Sequence, residues 1–217
     1  MKNENSLSTI TCIHGRHDKV RLFAITAPRP VYAAVSTIED YALSIELGFK
    51  TIIIPNKLAW KWQTAVAFAL THNDSNKFIL LGSDDLIKPS MVAVLTSLLD
   101  DYDFIGLKGC IFHGDGKTKA FHGYEGKRES EPIGAGRCIT RSALNKINPI
   151  FSEARTGGLD GNFWDKAKNL KRLIIGIQNK TYSLVDLKDN FSRQKMDKFE
   201  DLPDIELPKW ACEILCQ

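Results

Sequence analysis

Apolar and polar positions alternate along the first hundred residues in a repeating strand-then-helix order. Residues 9–13 are apolar and β-branched and predict a first strand, closed by the polar turn His14-Gly15-Arg16-His17-Asp18. Residues 20–27 predict a helix that Pro28 and Pro30 end. Residues 31–35 predict a second strand. Ser36-Thr37-Ile38-Glu39 then has the spacing of a capping box, and its helix ends at Gly48. Residues 51–54 predict a third strand, stopped by Pro55-Asn56. Leu58, Trp62, Ala65, Val66 and Ala69 recur at helical spacing and give a helix one apolar face. A fourth strand over 78–81 and a helix over 89–99 complete the series. Strand and helix in strict alternation imply right-handed crossovers. The expected fold class is therefore α/β, a single domain with a Rossmann-like, mostly parallel sheet flanked by helices.

The second half is less regular. Residues 103–107 and 111–112 read as strands, whereas 113–130 are rich in Gly, Lys and His, show no apolar period and predict a long loop. Ile133-Gly134-Ala135-Gly136 leads into a short strand over 137–140, followed by helices over 142–147 and 162–168 and strands over 173–177 and 182–185. After Asn190 the chain is charged and punctuated by Pro203 and Pro208. There is no internal repeat and no low-complexity segment.

With 217 residues, 43% hydrophobic and 25% charged, the chain can bury a substantial core, and wholesale disorder is not expected. Residues 1–8 are polar and carry no signal-peptide core, and no apolar run approaches the length of a membrane helix. The five cysteines lack paired zinc-finger spacing, so the expectation is a reducing, cytoplasmic compartment (host cytoplasm for a phage-encoded chain) without structural zinc. Charge is uneven. Residues 1–104 hold 10 Lys/Arg against 11 Asp/Glu, residues 105–180 hold 14 against 7, and residues 181–217 hold 5 against 8. A basic middle block concentrates anionic partners, unless it is only a solvated surface.

The candidate chemistry sits in Leu81-Gly82-Ser83-Asp84-Asp85-Leu86-Ile87-Lys88-Pro89. An apolar strand stops at Gly82, two carboxylates follow, and Pro89 opens a helix. Ligands of open α/β sheets bind at the carboxyl ends of strands. Two adjacent carboxylates there call for a hard divalent cation that also meets a substrate phosphate. Capping of the next helix by Ser83, Asp84 or Asp85 accounts for one carboxylate at most. Arg16 beside Gly15 suits phosphate oxygens, or an ordinary turn with a solvated Arg. Asn56-Lys57 allows a helix cap and a nucleotide contact. Trp62 reads as core, and Trp60, facing elsewhere, is able to reach a pocket.

This element order, with an acidic pair after the fourth strand, resembles the GT-A class of nucleotide-sugar glycosyltransferases over residues 9–190. Small phage or bacterial members with a Gly-Ser-Asp-Asp version are the nearest in look. The family signature is a strand ending in Asp-x-Asp, and here Gly82 stands at the first Asp. The resemblance implies that Asp84 and Asp85 bind Mn²⁺ or Mg²⁺, and that they and Ser83 hold the donor diphosphate. Arg16 and Lys57 would help hold the nucleotide of a UDP-sugar. Residues 1–104 would form the donor half, 105–190 the acceptor half and 191–217 a tail. Gly134-Ala135-Gly136-Arg137 looks like the segment over the donor sugar, or serves only tight turns. Asp160 falls where inverting members keep the catalytic base, or it caps its own helix; Glu153 is the reserve.

His113 and His122, bracketing the loop, read as solvated or as ligands. The basic block points to an anionic acceptor, and hydroxymethylated pyrimidines in phage DNA are one such class. The alternatives are nucleotidyl transfer and a non-catalytic nucleic-acid-binding domain on the same fold. A single glycine in the first loop weakens the former.

Overall fold

Two sheets carry the chain. In a computed structural model, residues 6–54, 57–151, 159–177, 182–189 and 196–217 are described, apart from the side chain of Asp160. Strands β1 (Leu7–Ile13), β2 (Val31–Val35), β3 (Lys50–Ile53) and β4 (Lys77–Leu80) run parallel. They are linked by helices α1 (His17–Thr26), α2 (Ile38–Glu46) and α3 (Leu58–His72). Then follow β5 (Asp85–Ile87), α4 (Pro89–Leu98), β6 (Phe104–Leu107), β7 (Cys110–Gly114), β8 (Lys117–Phe121) and β9 (Arg137–Thr140). Helices α5 (Arg141–Ile147) and α6 (Leu159–Ala167), strands β10 (Arg172–Ile175) and β11 (Leu184–Leu187), and helix α7 (Lys209–Leu215) complete the chain.

The larger sheet has seven strands in the order β10-β6-β9-β4-β1-β2-β3, with β9 antiparallel to both its neighbours. The smaller has four, β5-β11-β7-β8. β1 lies between β2 and β4, so the chain leaves β1 in one direction and returns on its other side. That reversal opens a crevice at the carboxyl ends of β1 and β4, the place where open α/β sheets bind ligands.

Side chains of period two divide the core between the two faces of the large sheet. Ile13, Val31, Val35, Ile79 and Leu81 pack with Val20 and Phe23 of α1, Leu43 of α2 and Leu95 of α4. Ile10, Tyr32, Ala34, Phe78 and Leu80 pack with α3, α5 and α6 on the other. Both faces are covered, which is why β2 and most of β4 read as apolar runs and why β1 buries even Ser8, Thr9 and Thr11. The small sheet buries Leu86, Ile111, Ala120 and Val185 under Ala211 and Ile214 of α7.

The main parallel strands and helices lie where the pattern predicts them, within a few residues. The capping box is displaced: the N-cap of α2 is Thr37, whose hydroxyl accepts from Asp40 N–H, and Ser36 lies outside. Three elements are corrections. β5 is too short to show a period. α7 lies within what reads as a charged tail. β8 falls inside the stretch 113–130 expected to be loop, since its Lys117 and Lys119 point at acids far along the chain, Glu200 and Asp204. Its hairpin signal is in the sequence nonetheless: Asp115 and Gly116, at φ 51° and 70°, form the two-residue turn that Asp-Gly favours.

Phe163 anchors α6 through Phe104 and Phe151, at ring distances of 5.6 and 6.1 Å, and is fully buried. Phe163→Ala is expected to cost about 3–5 kcal/mol in urea-monitored unfolding, because the cavity cannot close between three elements.

Candidate active site

Gly82, Ser83, Asp84 and Asp85 form a tight turn at the end of β4, closed by Asp85 N–H donating to Gly82 O at 3.1 Å. β5 starts in this turn and pairs antiparallel with β11, placing Asp85 directly opposite Asp186. Leu187 N–H also donates to Asp84 O at 2.9 Å, locking β11 against the turn. Asp84, Asp85 and Asp186 each offer an oxygen such that all three lie within 4.8 Å of one another.

Cations meet this trio from two directions. The guanidinium of Arg16 donates to Asp84 Oδ2 at 2.5 Å, joining the loops after β1 and β4 across the crevice. Lys188 Nζ lies 2.5 Å from Asp186 Oδ2, with its side chain 9% exposed. A second pair, Lys19 with Asp189 at 2.6 Å, and a bond from Lys19 to Leu187 O hold the end of β11 to α1. Burial, then the charges of Asp186 and Asp84, push Asp85 well above the ordinary carboxylate range. Asp186 is pushed up to about 6 by burial and by Asp84, against the pull of Lys188. For Arg16 and Lys188, burial opposes the charge, yet the facing carboxylates outweigh it and both pKa values rise.

The donor set fits a hard divalent cation. It is all oxygen, it gathers three carboxylates, and Asp186 Oδ1 is buried without a hydrogen-bond partner among the described residues. Gly82 belongs to the same geometry. Its N–H donates to Asp85 Oδ2 at 2.6 Å, and a Cβ there would stand 2.8 Å from Asp84 Oδ1 and 2.9 Å from Asp85 Oδ2. The carboxylates fold back over a position that must lack a side chain.

The loop after β1 is built for close approach. Gly15 and Arg16 both take left-handed backbone, at φ 63° and 56°. Asp40, 1% exposed on α2, receives Gly15 N–H at 2.9 Å and His17 Nε2 at 3.0 Å. Burial opposes its charge, but these bonds outweigh the burial and hold its pKa below the usual range. Lys61, 1% exposed on α3, donates to Ile13 O at 2.5 Å and caps the end of β1.

Of the residues singled out in the sequence, Arg16, Asp84 and Asp85 come together, and Ser83 lies buried in the turn between β4 and β5. Lys57 is exposed at the N-cap of α3, its ammonium 6.0 Å from the Trp60 ring, and none of the described contacts joins it to the trio. Trp60 is exposed, whereas Trp62 packs on Phe151, as core. Asp160 belongs to α6 by its backbone, and its side chain is outside the description, as are Asn56, Glu153 and Asn190. His113 bonds Thr118 within the β7–β8 hairpin at 2.8 Å, and His122 faces the Tyr182 hydroxyl at 3.1 Å.

Arg137 is buried on the carbonyls of Pro132 and Ile133, so it braces the fold. Gly136, at φ 73°, allows Leu107 and Leu184 to close over it. Asp186, Lys188, Asp40 and Lys61 were not foreseen. Asp186 directly follows the strand predicted over 182–185, and a carboxylate at a strand end was the available signal.

No protein-family model matches the chain, and no curated protein sequence does. Among solved structures it is similar to residues 1–349 of S. aureus TarS, with TM-score 0.58 and 14% identity over 86% of this chain and 60% of that one. The same TarS fragment in complex with UDP-GlcNAc gives TM-score 0.58 and 14% identity over 88% and 60%. The bifunctional IspDF from Campylobacter jejuni gives TM-score 0.54 and 12% identity over 91% and 54%. The chain thus spans 60% of the length of the TarS fragment. At such identities the likeness is one of fold, and that fold is of the GT-A type. Among the described residues, no helix is long and apolar enough to cross a membrane.

Asp186 has an ordinary pKa of 3.8 and a folded value of about 6, so between these values the native chain keeps a proton that the unfolded chain has lost. Its contribution to stability therefore falls as pH rises through that window. In EDTA, wild type measured against Asp186→Asn is expected to lose up to about 3 kcal/mol between pH 4 and pH 7 in urea unfolding.

Proposed function

We propose that this chain transfers a glycosyl group from a nucleoside diphosphate sugar, a UDP-sugar, to an acceptor hydroxyl. The observation that carries the reading is the meeting of Asp84, Asp85 and Asp186 with Arg16 at the carboxyl ends of β1 and β4. An arginine and a set of carboxylates at one point suit a ligand that is itself anionic and arrives with a cation.

In this reading residues 1–104 form the donor half, 105–190 the acceptor half and 191–217 the tail, with Asp186 reaching back from the second half. Arg16 turns from Asp84 to the donor phosphates, and Lys57 lies on the side from which the nucleotide enters. Asp84, Asp85 and Asp186 hold a Mn²⁺ or Mg²⁺ ion, which, when bound, supplies a Lewis acid against the charge of the leaving diphosphate. Ser83 and the N–H of Gly82 keep the turn in register. Asp160, at the start of α6, accepts the proton of the acceptor hydroxyl as it attacks the anomeric carbon.

The acceptor was expected to be anionic, DNA with hydroxymethylated pyrimidines included, because of the basic middle block. Several of its cations are engaged internally among the described residues. Lys117 and Lys119 pair with Glu200 and Asp204, and Arg137 and Arg141 bind backbone carbonyls. The C-terminal acids thus neutralise part of that block, while cations such as exposed Lys127 and neighbouring Lys108 keep an anionic acceptor in view.

Calorimetry with a panel of nucleotide sugars, with and without Mn²⁺, tests the proposal on wild type and Asp84→Asn. One UDP-sugar is expected to bind only with Mn²⁺, and the variant is expected to lose at least about tenfold in affinity with little change in melting temperature. Absence of binding to every nucleotide sugar would sink the reading. Pyrophosphate release from a nucleoside triphosphate would replace it with nucleotidyl transfer.

A further inference from the structure

The acidic trio already contains a cation of its own. Lys188 Nζ bonds Asp186 Oδ2 at 2.5 Å and lies 5.2 Å from the centroid of the Phe112 ring. Asp84 and Asp85 stand close enough to act on the same ammonium. Its backbone is pinned: Lys188 N–H donates to His113 O at 2.7 Å, and Leu187 N–H to Asp84 O at 2.9 Å. The backbone is thus fixed at the rim of the trio, while the four-carbon stem allows the charge to relocate.

The pairing is also incomplete. Lys188 satisfies one oxygen of Asp186 and leaves Oδ1 buried without a partner among the described residues. A divalent cation bound by the trio would take up that oxygen and would stand within a few ångströms of the ammonium. Two such charges at that spacing repel strongly in a half-buried site. One of them must leave, and only the lysine has a flexible tether.

We propose that Lys188 is a displaceable counter-ion. It neutralises the trio when no metal is bound, leaves Asp186 when a divalent cation takes the carboxylates, and then meets the diphosphate of the donor. This rests on the glycosyl-transfer reading and adds to it an order of events. Metal and nucleotide favour each other, because the cation that the metal expels becomes a ligand for the nucleotide.

The test uses Mn²⁺ titration followed by electron paramagnetic resonance, without nucleotide, and UDP titration by calorimetry in saturating Mn²⁺. Wild type, Lys188→Met and Lys188→Gln are compared, with melting temperatures to verify folding; Gln keeps a donor for Asp186 should Met fail to fold. Both variants are expected to bind Mn²⁺ alone about tenfold or more tighter. Both are expected to bind UDP about tenfold more weakly. Mn²⁺ affinity that is unchanged or reduced overturns the displacement, and unchanged UDP affinity overturns the transfer to the diphosphate. In either case a wild type that binds UDP with Mn²⁺ leaves the glycosyl-transfer reading standing. A wild type that binds neither overturns both.

Discussion

Three carboxylates whose oxygens lie within 4.8 Å of one another repel, and each ionised pair at that spacing costs about 3–4 kcal/mol at an effective dielectric constant near 20. Much of the surrounding structure answers that repulsion. Arg16 takes a left-handed backbone to reach Asp84, and Lys188 holds Asp186 from the end of β11. Asp85, buried deepest, is the member driven furthest toward its neutral form. Folding alone has no use for such a cluster, since apolar residues in its place would pack without the repulsion. Arg16 and Lys188 offset part of that cost from within the chain.

The fold delivers this cluster through two separate pairings. The reversal of strand order between β1 and β4 brings Arg16 and Asp84, 68 positions apart, to the same crevice. The small sheet then contributes the third carboxylate, because β11 pairs antiparallel with β5 and sets Asp186 opposite Asp85. Asp40 and Lys61 stiffen the first loop from below, one binding Gly15 N–H and His17, the other the last carbonyl of β1. Neither touches the trio, yet both fix the turn from which Arg16 projects.

What could be read in advance follows from which interactions are local. A sheet covered on both faces writes its strands as apolar runs, so β1, β2 and β4 and their linking helices were visible, as were Arg16, Asp84 and Asp85 at strand ends. β8 was not, because Lys117 and Lys119 are satisfied by acids some eighty positions away rather than by a period of their own. The Asp115-Gly116 turn was the local clue to that hairpin. Asp186 and Lys188 were hidden for a related reason: they follow the strand predicted over 182–185, and nothing local ties them to the turn after β4 until β11 pairs with β5. Lys61 sits in an otherwise apolar helix face, and the buried carbonyl of Ile13 at the end of β1 accounts for it.

Gly82 shows how one position without a side chain sets the orientation of the carboxylates around it. An added Cβ there would collide with oxygens of Asp84 and Asp85, and the glycine N–H itself donates to Asp85. The turn is tight enough that both carboxylates face inward over residue 82. A third carboxylate then cannot come from the same turn, and it comes instead from the facing strand, at Asp186. The crevice thus draws its negative charge from two segments, the turn after β4 and the end of β11. That division also brings in Lys188, two residues past Asp186 on the same chain segment, so the strand that supplies the extra charge supplies its counter-ion as well.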